Sequence, residues 1–216
     1  MNPWLPAVVG AALALVPVGW GPGRHLVTLV HEAGHAVVAV LTGRRLSGIR
    51  LHRDTSGLTT SVGRPRGPGM IATAAAGYPA PSALGLGVLW LASTDRAAWA
   101  LGIALAVLAG MLLFIRNWFG LLVVLAAGGV VALLVWRTDP DVQQAAAVLL
   151  AAFLLVGGCR TTLELWASRR RTRSRTSDAD VLARLTHLPA GLWNALLVLV
   201  TVAALVPAYG LLDRMV

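Results

Sequence analysis

The sequence predicts an all-α membrane protein of about seven transmembrane helices, with a short β-hairpin after the second helix. Hydrophobic residues make up 57% of the 216 residues and charged residues only 12%, whereas soluble domains carry roughly 25% charged residues. Six stretches of the length that crosses a bilayer, about 18 residues or more, contain no Asp, Glu, Lys or Arg. These observations exclude an ordinary soluble domain and a disordered chain.

The predicted helices follow the uncharged stretches in order. A further segment, 26–43, is apolar except for the polar group at 31–35, and we count it as the second of seven helices. Stretch 1–23 has no arginine near its start and no small-x-small cleavage site, so we expect a membrane helix there rather than a signal peptide. Helix breakers at 21–23, 65–68 and 138–140 separate several segments. The six uncharged stretches are 1–23, 67–94, 97–115, 117–136, 142–159 and 185–212.

The arginines predict the orientation of the chain, because every basic residue is an arginine and their distribution is uneven. With the N-terminus in the cytoplasm, most arginines lie in internal connections, as the positive-inside rule requires. Only Arg24, Arg96, Arg137 and Arg214 are then external. The basic segment 167–177 is expected to be a cytoplasmic loop facing anionic lipid headgroups, so the net charge of +9 predicts no nucleic-acid partner. The absence of lysine and the bias towards alanine and arginine indicate a high-GC bacterium, so we expect a single polytopic domain, 1–216, in a bacterial inner membrane. The sequence favours no particular oligomeric state.

A polar region, 44–66, separates the second and third predicted helices. Apolar residues at 46, 49 and 51 and at 58 and 62 flank the segment Asp54-Thr55-Ser56-Gly57. Two short apolar runs around a glycine-containing turn are typical of a β-hairpin.

The chemistry of this sequence is concentrated at residues 31–35, His-Glu-Ala-Gly-His, which match H-E-x-x-H. Residues four apart share one face of a helix, so His31 and His35 can bind one metal ion. Glu32 then lies beside the ion, where it can act as the general base for an attacking water. Three ionisable groups inside an apolar helix are costly, and a metal ion or a water-filled cavity would offset that cost. A polar cluster that only holds helices together and metal binding without hydrolysis stay alternatives.

This membrane-embedded motif, followed by Arg44-Arg45 and a hairpin, resembles the site-2 protease family of intramembrane zinc metallopeptidases, and most closely its small bacterial branch without a PDZ domain. Segment 26–58 carries most of the resemblance, and Ala76-Gly77-Tyr78 is similar to the family's Ala-Gly-Pro segment. The resemblance implies a Zn²⁺ cofactor and cleavage of a peptide bond in or near the membrane segment of a membrane-anchored protein. It also implies an aspartate ligand from a Leu-Asp-Gly motif, which this chain lacks.

A catalytic zinc ion usually has three protein ligands, and Asp178 and Asp180 are the candidates for the third. Ser177 and Asp180 fit a capping box, so Asp178 is the first choice, with capping by both acids as the alternative. Either acid has to enter the membrane to reach His35. Asp213 is a poorer candidate because the predicted topology places it at the outer surface, and His187 is a remote one.

One further residue is a candidate for substrate binding. The side chain of Asn117 could donate a hydrogen bond to the scissile carbonyl, as an asparagine does in the family, or it could simply form a turn between two helices. Two other functions remain open at this stage. One is a non-catalytic membrane scaffold, which the missing Leu-Asp-Gly motif favours. The other is a divalent-metal transporter, which the near absence of acidic residues within spans disfavours.

Overall fold

The computed structural model describes residues 2–171 and 176–216, and most of these residues are helical. The described part of the chain contains ten helices and one two-stranded sheet. In chain order the elements are α1 (Trp4–Leu15), α2 (Pro17–Leu41), β1 (Arg45–Leu51), β2 (Gly57–Val62), α3 (Pro68–Ala75), α4 (Pro79–Ala92), α5 (Ala97–Leu112), α6 (Trp118–Arg137), α7 (Pro140–Arg171), α8 (Asp178–Thr186), α9 (Ala190–Ala203) and α10 (Leu205–Asp213).

Three helical segments within the described residues are long and apolar enough to cross a membrane, namely α6, α7 and the segment Ala190–Asp213 that joins α9 and α10. The bent pair α1 and α2 adds a fourth if it is one span. The helices α4 and α5 have 14 and 16 residues, which at 1.5 Å per residue is short of a hydrocarbon core about 30 Å thick. The prediction of seven spans is therefore not confirmed.

The first helix break lies at Val16, not at Gly21-Pro22-Gly23 as the sequence suggested. Pro17 disfavours helical backbone at the residue before it, and Val16 is extended, with φ −84° and ψ 143°. The axes of α1 and α2 meet at 91°, while Pro22 lies inside α2. Arg160 of α7 donates hydrogen bonds to the carbonyls of Ala14 and Leu15 at 2.8 and 2.9 Å, so the end of α1 is capped from outside the helix.

The predicted helix at 67–94 is also interrupted. It forms α3 and α4 with a break at 76–78, directly before Pro79 at the start of α4. Proline is favoured at a first helical position because its missing N–H is not needed there. The break brings Gly77 and Tyr78 against α2, where they border the candidate site.

The β-hairpin is confirmed. β1 pairs with β2 in antiparallel register from Arg45 opposite Val62 to Leu51 opposite Gly57, with an irregularity between Leu46 and Gly48. The outer edge of β1 is also occupied, because Ile49 donates to the carbonyl of Phe114 at 2.8 Å and accepts from the N–H of Arg116 at 2.9 Å. In the described residues, β2 pairs with no strand other than β1, so its far edge has no strand partner; Arg44 lies 3.5 Å from the carbonyl of Ser61 on this strand.

The longest helix, α7, forms the centre of the molecule. Ala147, Val148 and Ala151 are fully buried on it and pack against residues of α1 and α4, as small residues do where membrane helices approach closely. The helix continues through Arg171, so the predicted loop at 167–177 begins later than expected. Residues 172–175 of that prediction lie outside the described part of the chain.

Candidate metal centre

One face of α2 carries the polar side chains of the candidate site. Thr28, His31, Glu32 and His35 fall within about 100° of the helix circumference at 3.6 residues per turn, and all four border one cavity of about 540 Å³. Within that sector, Thr28 and Glu32 face the hairpin. His31 and His35 face the turn between α3 and α4, where Gly77 approaches them.

Three side chains from two distant segments converge in this cavity. The Nε2 atoms of His31 and His35 are 3.0 Å apart, and Oδ2 of Asp178 lies 3.2 Å from each of them. Within the described part of the chain, the ligand atoms of these three residues lie within 4.8 Å of one another, close enough to hold one metal ion. Each offers one atom to a common point, so the side chains that the sequence singled out as metal ligands do lie together.

The start of α8 separates the roles of the two candidate aspartates. Ser177 and Asp180 form the predicted capping box, and Arg169 donates to Oδ1 of Asp180 at 2.6 Å. Burial raises the pKa of Asp180, but the hydrogen bonds from Arg169 and Ser177 outweigh it and hold that pKa below its usual value. Asp180 is thus occupied by the cap, and Asp178, the first residue of the same helix, is the carboxylate that reaches the imidazoles.

The positions of Nε2 of His31, Nε2 of His35 and Oδ2 of Asp178 suit three ligands of one zinc ion better than direct contacts between the three side chains. The ring nitrogen Nδ1 of His35 lies 2.7 Å from the carbonyl of Thr73, to which it can only donate, so in the neutral ring the Nε2 lone pair faces His31 and Asp178. Lone pairs and a carboxylate that converge in this way repel unless a cation or a proton lies between them. Ligand atoms on a tetrahedral zinc ion lie about 3.3 Å apart when each bond is about 2.05 Å long, close to the observed separations.

Glu32 lies next to this group and does not belong to it. Its side chain is buried, with 4% of the residue exposed, and its carboxylate accepts a hydrogen bond from the hydroxyl of Thr59 at 2.6 Å. Gly57 also lies close to this side chain, because an added Cβ there would lie 2.6 Å from Cγ of Glu32 and closer still to Oε1. The hairpin therefore contacts the proposed general base directly.

The remaining candidates do not reach the cavity. Both ends of the Asn117 amide bind the backbone of Leu51, since Nδ2 donates to its carbonyl at 2.6 Å and Oδ1 accepts its N–H at 3.1 Å. The predicted hydrogen bond from Asn117 to a scissile carbonyl is therefore not supported, because the amide already holds β1. His187 ends α8 in the left-handed region, with φ 61°, and Asp213 is the last residue of α10; neither belongs to the three-residue group.

Several residues that border the site were not found by sequence reasoning. Thr59, Thr73 and Gly57 contact Glu32 or His35 from other segments, and no motif marks them. Gly77 had a signal, since it lies in the Ala-Gly-Tyr segment noted above. A Cβ at Gly77 would lie 2.6 Å from Nε2 of His31 and closer to Nε2 of His35, so the absence of a side chain there leaves the convergent atoms accessible.

The chain is similar to a known protein family. A family model described as Peptidase M50B-like matches residues 4–208. No curated protein and no solved structure matches the chain significantly.

Proposed function

The chain belongs to the Peptidase M50B-like family, within the site-2 proteases, and we propose that it is an intramembrane zinc metalloendopeptidase. Its substrate is a membrane-anchored protein, cleaved in or near its membrane segment. The observation that carries this proposal is the convergence of His31, His35 and Asp178, with separations of 3.0 to 3.2 Å, beside the buried carboxylate of Glu32.

In this proposal His31, His35 and Asp178 hold the zinc ion, with Thr73 fixing the ring of His35 through its carbonyl. A zinc ion bound there would supply Lewis acidity, for the scissile carbonyl and for an attacking water near neutral pH. Glu32 takes the proton from the attacking water and then delivers it to the leaving amine. The buried carboxylate of Glu32 and the three convergent side chains line the same cavity.

The substrate must be extended at the cleavage point, because a helix engages its carbonyls in internal hydrogen bonds. The far edge of β2 suits this requirement, since an extended peptide can add to an unpaired strand. Gly57, Thr59 and Ser61 of β2 border the same cavity as Glu32, so a peptide on this edge would pass close to the general base. The other edge of the sheet is taken by residues 114–116.

The membrane orientation that we propose from the distribution of arginines is compatible with this function. With the N-terminus in the cytoplasm of a bacterial inner membrane, the hairpin at 44–66 and its arginines face the cytoplasmic leaflet. Water would then enter the cavity from the cytoplasmic side, and the partners are the lipid bilayer and an anchored protein, with no nucleic acid.

The test measures metal content and cleavage in the same purified preparations. The wild type is expected to bind one zinc ion per chain and to cut a membrane-anchored model substrate. Glu32→Gln should retain the zinc and lose at least about 100-fold in rate, because general-base catalysis contributes about 10²–10⁴-fold. His35→Ala should lose both. Activity in Glu32→Gln equal to that of the wild type would refute the assigned role, and a wild type with neither zinc nor cleavage would favour a scaffold.

A further inference from the structure

The hairpin is attached to α2 along the ridge formed by Thr28 and Glu32. The hydroxyl of Thr28 donates to the carbonyl of Thr55 at 2.9 Å, in the turn of the hairpin. One helical turn further on, the hydroxyl of Thr59 lies 2.6 Å from Oε2 of Glu32 and 3.1 Å from its backbone carbonyl. A hydroxyl has one proton, and the shorter contact, to the carboxyl oxygen, is the stronger hydrogen bond.

This contact restricts a side chain that is otherwise free to turn. The terminal torsion of glutamate is broad and roughly two-fold, so a buried carboxylate without a fixed partner samples several orientations. Here Thr59 binds Oε2, and Gly57 lies against the same side chain, where an added Cβ would overlap with Oε1 and Cγ. Both restraints come from β2, at positions 57 and 59, which face the same side of the strand.

We propose that Thr59 is a positioning residue for Glu32 and that β2 thereby belongs to the reaction machinery as well as to the substrate-binding edge. This inference rests on the proposed function, since it assigns Thr59 an effect on the general base of that reaction. Thr59 does not touch the group formed by His31, His35 and Asp178, so its effect falls on the rate and not on metal binding. A substrate strand added to β2 would lie on the same element that orients the base.

The chain offers a matched control on the neighbouring residue. Thr60 points to the opposite side of β2, where its hydroxyl donates to the carbonyl of Gly48 at 3.1 Å, and it does not border the cavity. Thr60→Val therefore removes a threonine hydroxyl from the same strand without touching Glu32. Thr59→Ser keeps the hydroxyl at position 59 and serves as the conservative variant.

The experiment determines kcat and KM for a quenched-fluorescent transmembrane peptide with the full-length chain in detergent, together with zinc content and melting temperature. Thr59→Val should lower kcat by about 10- to 100-fold, the range for residues that orient reacting groups, with KM within about twofold of the wild type, as expected when only the transition state is affected. Its zinc content should be unchanged. Thr59→Ser should recover most of the rate, and Thr60→Val should match the wild type.

Three results would overturn the inference. The first is a normal kcat in Thr59→Val. The second is a Thr59→Ser variant as slow as Thr59→Val, since the hydroxyl would then not be the active feature. The third is loss of zinc or of folding in both Thr59→Val and Thr59→Ala, which would assign a structural role. If the wild type cleaves the peptide and Glu32→Gln does not, these failures concern Thr59 alone. If the wild type is inactive, the proposed function itself fails.

Discussion

Gly77→Ala tests the convergent geometry with the smallest possible change, one methyl group. The added Cβ would lie 2.6 Å from Nε2 and from Cε1 of His31, and closer to Nε2 of His35. Ordinary carbon–nitrogen contacts are about 3.4 Å long, so the rings or the turn must move by about 1 Å to relieve the closest of these contacts. Gly77 does not have a positive φ, so alanine adds no backbone strain and the effect arises from the crowded imidazoles.

The size of the effect follows from the cost of overpacking, about 1–3 kcal/mol. If that cost is borne by the zinc-bound state, zinc affinity falls by about 5- to 140-fold, at 1.4 kcal/mol for each factor of ten. The zinc-dependent rise in melting temperature should shrink in parallel, because stabilisation by a ligand depends on its concentration relative to the dissociation constant.

The assay is a competition titration of the purified chain against a zinc chelator, with melting curves recorded with and without zinc. Gly87→Ala is the matched control, since a Cβ at Gly87 of α4 would meet nothing within 4 Å. It should bind zinc as the wild type does. A zinc affinity in Gly77→Ala within about twofold of that of Gly87→Ala would refute the reasoning, because the convergent nitrogen atoms would then not be the zinc ligands.

Two further predictions concern the aspartates and the asparagine. Asp178→Asn should lose most of the bound zinc, measured by elemental analysis, whereas Asp180→Asn should keep it and melt at a lower temperature, because the capping box and the bond from Arg169 are weakened at a cost of about 0.5–2 kcal/mol. Equal zinc loss in both would contradict the separation of their roles. Asn117→Ala should retain zinc and lose about 1–3 kcal/mol of free energy of unfolding in denaturant titrations. The reason is that the substitution removes both hydrogen bonds from the side-chain amide to the backbone of Leu51. Loss of zinc with unchanged stability would contradict this prediction.

The features of this protein that depend on neighbouring residues were predictable from the sequence. The hairpin follows from two short apolar runs on either side of Asp54-Thr55-Ser56-Gly57, and the structure has strands at Arg45–Leu51 and Gly57–Val62. The placement of His31 and His35 on one face follows from helical spacing alone. The choice of Asp178 over Asp180 also rested on a local argument, because a residue engaged in a capping box is not available elsewhere.

The number of spans was not predictable in the same way. Apolar composition is alike in a helix that crosses the bilayer and in a shorter helix such as Pro79–Ala92, so a count of uncharged stretches does not separate them. The position of the first break depended on which proline interrupts the helix. Pro17 starts a new helix and Pro22 does not, although Pro22 stands between two glycines, the stronger local signal.

Contacts between distant segments could not be predicted from the sequence either, because no local pattern encodes them. Thr59 meets Glu32 across 27 positions and Thr73 meets His35 across 38. Both are ordinary threonines with no spacing that relates them to the H-E-x-x-H motif. Such residues are selected by the packing of the hairpin and α3 against α2, and only the structure supplies that packing.

The arrangement at the start of α8 explains how a chain without the family's Leu-Asp-Gly motif can still present a carboxylate to two imidazoles. Positions 178 and 180 are separated by about 200° around a helix at 3.6 residues per turn, so they face nearly opposite sides. One carboxylate, that of Asp180, is turned towards Ser177 and Arg169 and fixes the helix to α7. The other carboxylate, that of Asp178, lies 3.2 Å from Nε2 of His31 and of His35. The proposed third ligand therefore needs only a second acid in the first turn, at a helix N-terminus that favours negative charge, and not a particular tripeptide.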